Sequence, residues 1–185
     1  MRIKSAALLS AAALTAALGV AGAAPASADI ATLDITAIGY NAYGADTAAN
    51  RNAEFVDVKN VSGSPVKVDG LLVQDAWARG RDKTVGCNTY KLPAGTLPVA
   101  PSAAADELPS GAVLRIHMGA GSPAVDRFGV RHVYADMRTA CGYNGHIFNN
   151  SGNSNRFAAW DTAWVTLGSD SESKSYNFSL GYVAK

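Results

Sequence analysis

Apolar and polar residues alternate along several short segments of the chain, and no segment after residue 29 keeps an apolar repeat of 3.6 residues. The apolar residues of these segments stand two positions apart, and most of the residues between them are polar, Trp164 being an exception. They are Leu33, Ile35 and Ala37; Val56 and Val58; Val66 and Val68; Leu114, Ile116 and Met118; and Ala163, Val165 and Leu167. This period is that of a β-strand with one buried side. The chain is therefore predicted to be all-β.

Turn-forming sequences rich in Gly, Pro, Ser and Asn separate these segments, for example at 62–65, 109–111 and 149–152. Strands that bury one side and expose the other are what two antiparallel sheets packed face to face require. The pattern thus predicts one antiparallel β-sandwich. Two segments do not fit it. We expect an extended surface loop at 99–108 and a long loop at 122–144.

The first 28 residues have the composition of a secretory signal peptide. Arg2 and Lys4 form a short basic region, an uncharged Ala-rich run continues to Val20, and small residues occupy 26–28. We expect cleavage between Ala28 and Asp29, which leaves a mature domain of residues 29–185. The alternative is an uncleaved amphipathic leader. The protein is predicted to be secreted, in the medium or associated with the cell wall, with no membrane segment after cleavage.

The mature chain is almost neutral, because the leader removes two of the 16 basic residues and none of the 15 acidic ones, leaving a net charge of −1. A binder of duplex nucleic acid usually has a basic face, and a binder of anionic membranes has a polybasic cluster. Neither feature occurs in this sequence. Nucleic acid is therefore not the expected partner.

The two cysteines, Cys87 and Cys141, both belong to the mature part of the chain. An exported cysteine pair normally oxidises, so we expect a disulfide, which would stabilise the fold by roughly 4 kcal/mol through loop closure. The alternative is two thiols or half of a metal site. The three histidines His117, His132 and His146 do not have the close spacing of a zinc ligand set.

The order of several sequence blocks resembles that of a known family. A polar loop leads into Glu-Phe-Val-Asp-Val-Lys-Asn at 54–60, and further blocks follow at 68–76, 108–121, 148–152 and 161–163. This succession resembles the lamin-tail domains of bacteria and covers most of 33–182. The resemblance implies an immunoglobulin-like β-sandwich and a non-catalytic module, which in secreted proteins is often appended to an exported enzyme.

The sequence also departs from the family pattern. Leu71 stands where the family usually has an aromatic residue, residues 153–160 are inserted, and the cysteines are not a general family feature. The inserted loops would give this protein its own surface, so the ligands of relatives are not carried over to it.

The three tryptophans, Trp77, Trp160 and Trp164, are the candidate binding residues. Trp164 is out of phase with the apolar residues of its strand and is expected on an outer face or at an edge, where an exposed indole can stack on a sugar ring. The alternative is that the indoles only cover a sheet. We therefore expect a non-enzymatic binding module for cell-wall glycan or another extracellular polymer, working without a cofactor.

Three other functions are weighed against this one. A rigid scaffold with a long loop at 122–144 could inhibit secreted hydrolases, since a pre-ordered loop binds at low entropic cost. A cryptic hydrolase would have to use carboxylates such as Asp57 and Asp69, which are expected on solvated strand faces, because no Gly-x-Ser-x-Gly motif occurs. A nucleic-acid-associated module rests on the family resemblance alone.

One loop contains a close group of oxygen-bearing side chains, Asp46, Asn50, Asn52 and Glu54. Calcium prefers six to eight oxygen ligands, and such a loop could supply several of them. Asn and Asp are also the usual residues of turns, where they bond to their own backbone. Calcium is therefore kept as a weak candidate beside the turn interpretation, and no metal is assigned.

Overall fold

The computed structural model describes residues 32–40, 47, 49–79, 88–98, 106–137, 147–148, 160–177 and 183–184. The predicted signal peptide at 1–28 with its cleavage site, Asp46, Cys87 and Cys141 lie outside the described residues. Within them the elements are β1 Leu33–Gly39, a 3-10 helix Arg51–Ala53, β2 Phe55–Asn60, β3 Val66–Lys67, β4 Leu72–Gln74, α1 Ala76–Arg79, β5 Thr89–Lys91, β6 Glu107–Leu108, β7 Val113–His117, β8 Ala124–Val125, β9 Arg131–Tyr134, β10 Trp160–Leu167, β11 Asp170–Asn177 and β12 Val183–Ala184. None of the described helices has the length and apolar composition needed to cross a bilayer.

The strands form two main sheets. One has six strands in the order β12-β1-β2-β7-β9-β8, the other has four in the order β11-β10-β4-β5, and β3 pairs with β6 separately. Neighbouring strands are antiparallel except β7 and β9, which run parallel. The predicted all-β sandwich is confirmed. The immunoglobulin-like identity of the sandwich stays a prediction.

The core is the apolar layer that the two sheets share. In β2, β7 and β10 the predicted alternation decides which side chains enter it, and burying them removes apolar surface from water. The fully buried side chains include Val56, Val58, Leu114 and Ile116 of the large sheet and Val73, Ala163 and Val165 of the small one. The predicted buried sides of these three strands are thus confirmed.

A bulge in β1 changes the predicted alternation. Ile35 pairs with Val58, but the next pair along the ladder is Ala37 with Asp57, so that Thr36 is the extra residue. The bulge reverses the phase of the strand after Ile35. Ile38, opposite Val56, is therefore fully buried. Ala37 is also buried, as predicted, so the strand no longer alternates beyond the bulge.

The two segments predicted as loops both contain strands. Residues 122–144 include β8 and β9, which form a short antiparallel hairpin, and residues 107–108 form β6. The loop predictions were wrong for these strand residues, because neither segment shows a long alternation of its own, while residues 99–105 and 138–144 lie outside the described part of the chain. The hairpin is set instead by its turn, in which the N–H of Asp126 donates to the carbonyl of Val130 and the N–H of Gly129 to the carbonyl of Asp126.

Arg131 occupies a core-side position at the start of β9, in register with Leu114 and Val125. The residue is only 5% exposed, and its Nε atom has no hydrogen-bond partner in the described part of the chain. Burial lowers the pKa of Arg131, because desolvation disfavours the charged form. A buried charge that lacks an opposite charge destabilises a fold.

Replacing Arg131 with Met should therefore stabilise the protein, by about 1–3 kcal/mol, since Met keeps the long stem and removes the buried charge. The free energy of unfolding from urea titrations measures the effect. Arg127→Met, at an exposed position, is the matched control and should change stability by less than about 0.5 kcal/mol. A destabilised Arg131→Met variant would show that the guanidinium is well compensated.

Candidate functional site

Strand β10 directs both of its tryptophans away from the core. Ala163 and Val165 are fully buried, so the even-numbered residues of the strand lie on the opposite side. Trp160 is 66% exposed there, and Trp164 is partly buried. We call this surface the tryptophan face; it comprises Trp160, Thr162, Trp164 and Thr166 of β10 and the paired residues Ser171, Ser173, Ser175 and Asn177 of β11.

Hydroxyl groups fill the surface between the two indoles. Ser175 stands opposite Thr162 in the ladder, and their Oγ atoms lie 2.9 Å apart in a hydrogen bond. Ser173 and Ser175 are exposed. Each hydroxyl can donate one hydrogen bond and accept others, so this strip can satisfy a ligand that is itself rich in hydroxyl groups.

Arg79 of α1 covers one end of the tryptophan face. Its guanidinium carbon lies 5.0 Å from the centre of the Trp164 ring system, and its Nη1 donates to Thr166 Oγ1 at 3.2 Å. A cation over an indole is attracted by the ring electrons, so this contact fixes the orientation of Trp164. Trp77 is also in α1, which packs against β10 and β4, but its side chain lies outside the described residues.

Asp75 holds the N-terminus of α1 in place. Its Oδ1 accepts the backbone N–H of Ala78 at 2.6 Å, as an N-cap side chain does, and its Oδ2 accepts Nδ2 of Asn88 at 2.5 Å. The residue is only 4% exposed. Burial, with a smaller contribution from the charge of Asp161, raises the pKa of Asp75 to about 6. The support of α1 thus contains a carboxyl group that titrates near neutral pH.

Sequence reasoning missed Asp75, although a signal for it exists. An Asp directly before the short segment Ala-Trp-Ala-Arg is a capping pattern. The raised pKa could not have been anticipated, because it depends on burial and on Asp161, which is distant in sequence.

The side chains of the calcium candidate set serve other contacts in the described residues. Asn50 Oδ1 accepts the N–H and the hydroxyl of Thr47, and Asn52 Nδ2 donates to the carbonyl of Ala120. Glu54 is buried, and its Oε1 accepts the backbone N–H groups of residues 147 and 148. The described residues contain no group of three or more His, Cys, Asp or Glu side chains that could hold a metal ion.

Asp57 and Asp69, the carboxylates considered for hydrolysis, differ in their burial. Asp57 is only 7% exposed and is paired with Arg115, whose Nε and Nη2 donate to its two oxygens at 2.6 and 2.7 Å. The expectation that Asp57 is solvated was therefore wrong, because this bidentate ion pair buries it. Asp69 lies 3.3 Å from Nζ of Lys67 in a more exposed ion pair.

The chain was compared with known proteins in three ways. A scan against models of protein families, a search of curated proteins and a search of solved structures each gave no match. The resemblance to lamin-tail domains stays a prediction from the sequence.

The titration of Asp75 predicts a pH-dependent stability that Asp75→Asn removes. Because the pKa of this carboxyl is higher in the folded than in the unfolded protein, the wild type should lose stability as the pH rises from about 4 to about 6. Asn also caps helices and cannot ionise. We expect the variant to match the wild type near pH 4 and to exceed it by about 2 kcal/mol at pH 7.

Urea unfolding of both proteins at several pH values measures this difference, and the subtraction cancels the titration of groups that do not interact with Asp75. A variant that is less stable than the wild type at pH 7 would contradict the assignment, since it would mean that the ionised carboxylate is favourable in the fold.

Proposed function

We propose that the protein is an exported, non-enzymatic module that binds cell-wall glycan or another extracellular polymer through the tryptophan face. The observation that carries the proposal is the exposure of Trp160, two-thirds of whose surface is open to solvent on a strand whose other side forms the core. An exposed indole keeps a large, flat apolar surface in contact with water, and this surface is available for stacking against a ligand.

The chemistry of the face favours a carbohydrate over a purely apolar ligand. Sugar rings combine an apolar C–H side with a rim of hydroxyl groups, so they need a flat aromatic surface and nearby hydrogen-bonding groups. Trp160 offers the first, and the exposed hydroxyls of Ser173 and Ser175 offer the second. The near-neutral net charge of the chain agrees with an uncharged or weakly charged ligand.

The spacing of the indoles favours a polymer. Trp160 and Trp164 are four residues apart on one strand, which corresponds to about 13 Å between their Cα atoms. This distance is longer than a single sugar ring, so a ligand that contacts both ends must be a chain of several rings. The guanidinium of Arg79 lies over the Trp164 ring, so a ligand at this end would meet the guanidinium together with the indole.

Replacing Trp160 with Ala should weaken binding to insoluble glycan by about 3- to 10-fold, which is the range expected for loss of one aromatic stacking contact. Co-sedimentation with peptidoglycan, chitin and cellulose measures it. Phe128→Ala is the matched control, because Phe128 is 75% exposed but lies outside the face, on the β8–β9 hairpin. Equal retention of Trp160→Ala and the wild type, or no retention of the wild type, would refute the proposal.

A second candidate function, inhibition of secreted hydrolases, is favoured by the β8–β9 hairpin. Its tip displays Arg127 and Phe128, with the guanidinium carbon 4.6 Å from the phenyl centre. The tip is pre-ordered, because Asp126 Oδ1 accepts the N–H groups of Phe128 and Val130. Aromatic and arginine side chains on an ordered loop are typical centres of protein interfaces.

The same two variants test the inhibitor function, and the result expected for each is reversed. If the protein is an inhibitor, Phe128→Ala should raise the inhibition constant against the affected hydrolase by at least about 10-fold, while Trp160→Ala has no effect. Titration against a panel of secreted proteases and glycosidases measures this. Absence of inhibition at micromolar protein would end this alternative.

A further inference from the structure

Two histidines that are 15 residues apart form a hydrogen-bonded pair on the outer side of the six-stranded sheet. His117 of β7 and His132 of β9 are brought together by the parallel pairing of these strands, and His117 Nε2 lies 2.9 Å from His132 Nδ1. His117 Nδ1 lies 3.1 Å from the carbonyl oxygen of Asn52. His132 Nε2 lies 3.3 Å from Asp126 Oδ2. The four groups form one chain from Asn52 to Asp126.

The two rings meet edge to edge. Their centres are 5.2 Å apart and their planes differ by only 15°. The ring centres are 2.3 Å farther apart than the two nitrogens, which are 2.9 Å apart. This difference is about the width of one imidazole ring, so the two nitrogens point at each other. A metal ion bound by both nitrogens would need more room between them, since zinc–nitrogen bonds are about 2.0–2.1 Å long. The geometry fits a proton between the rings.

Counting protons along the chain shows its charge. Both ends are acceptors, because a backbone carbonyl and a carboxylate can only accept hydrogen bonds. Three hydrogen bonds between these ends need three protons, and two neutral imidazoles supply only two. The chain is therefore complete only when the pair carries one additional proton and a net charge of +1.

The surroundings allow this single charge. The charged groups near the pair come from several elements. Asp57 and Arg115 neutralise each other in their bidentate pair, and Asp126 faces His132. Arg51 is in the 3-10 helix that packs against β7. Tyr134 stacks on His117 with ring centres 4.8 Å apart. Burial, with smaller contributions from His132 and Arg115, lowers the pKa of His117. The chain ends at the Asp126 carboxylate, whose Oδ2 faces His132 Nε2.

The same carboxylate organises the tip of the hairpin. Its Oδ1 accepts the N–H groups of Phe128 and Val130, while Oδ2 faces His132. Desolvation acts to raise the pKa of Asp126, but the hydrogen bonds from Val130, His132 and Phe128 outweigh it and lower that pKa. The proton on the histidine pair is therefore linked to the turn that displays Phe128.

We propose that His117 and His132 share one proton, and that this proton makes the β8–β9 hairpin a pH-sensitive element. At higher pH the pair becomes neutral, and one bond of the chain is lost. At lower pH a second proton places two N–H groups opposite each other between two charged rings. The hairpin is held best at intermediate pH. This inference concerns the hairpin alone and stands whether or not its tip binds a hydrolase.

Asp126→Asn tests the proton count directly. The amide oxygen of the substituted side chain can still accept the two tip N–H groups, while its NH₂ group can donate to His132 Nε2. The chain is then complete with two neutral rings, so the additional proton is no longer needed. The variant should keep the hairpin but have a neutral histidine pair near pH 7. Asp34→Asn, an exposed position in β1 that removes the same charge, is the matched control and should behave as the wild type.

Nitrogen-15 NMR of the imidazoles against pH, together with the backbone amides of Phe128 and Val130, provides the readout. In the wild type the pair should release its two protons in steps more than about one pH unit apart, and the tip amides should shift with both. In Asp126→Asn the step at higher pH should move down by at least about one unit. His132→Gln, which cannot titrate, should leave a single step on His117 and tip amides that no longer shift with the imidazole steps.

Two results would overturn the proposal. One is a wild-type pair that titrates as two independent imidazoles with the same midpoint. The other is an Asp126→Asn variant whose histidines titrate as in the wild type.

Discussion

The sandwich buries one side of each strand, and this constraint decides which residues remain for function. Ala163 and Val165 must face the apolar layer between the sheets, so their neighbour Trp164 must face outward. Leu114 and Ile116 impose the same condition on β7 and leave His117 on the outer side. A change that altered the phase of either strand would turn its outward residues into the core and remove the surface that this strand carries.

The two surfaces lie on different sheets and are built in different ways. The tryptophan face belongs to the hairpin of β10 and β11, whose residues are neighbours in sequence. The histidine pair depends on the contact between β7 and β9, which is parallel and needs the intervening β8 hairpin to bring the chain back. The tryptophan face thus forms from residues that are close in sequence. The histidine pair forms only when the tertiary structure is complete.

This difference explains how much could be predicted from the sequence. The out-of-phase position of Trp164 follows from alternation alone, and the apolar sides of β2, β7 and β10 follow in the same way. Strand β11 escaped prediction because Asp-Ser-Glu-Ser-Lys-Ser offers no apolar alternation, and its place is fixed by the turn at Gly168, whose φ is +62°. Neither the contact of His117 with His132 nor the bulge at Thr36 leaves a local signal, since both arise from pairing between distant residues.

The tryptophan face is the proposed site of ligand binding. The most direct measurement is an NMR titration of the purified protein with soluble peptidoglycan fragments, following the indole N–H signals and the backbone amides. Binding at the tryptophan face should shift the indole N–H signal of Trp160 and the amide signals of β10 and β11. The amide signals of the tip at Phe128 should not shift. Shifts confined to the β8–β9 hairpin, or no shift at saturating ligand, would contradict this proposal.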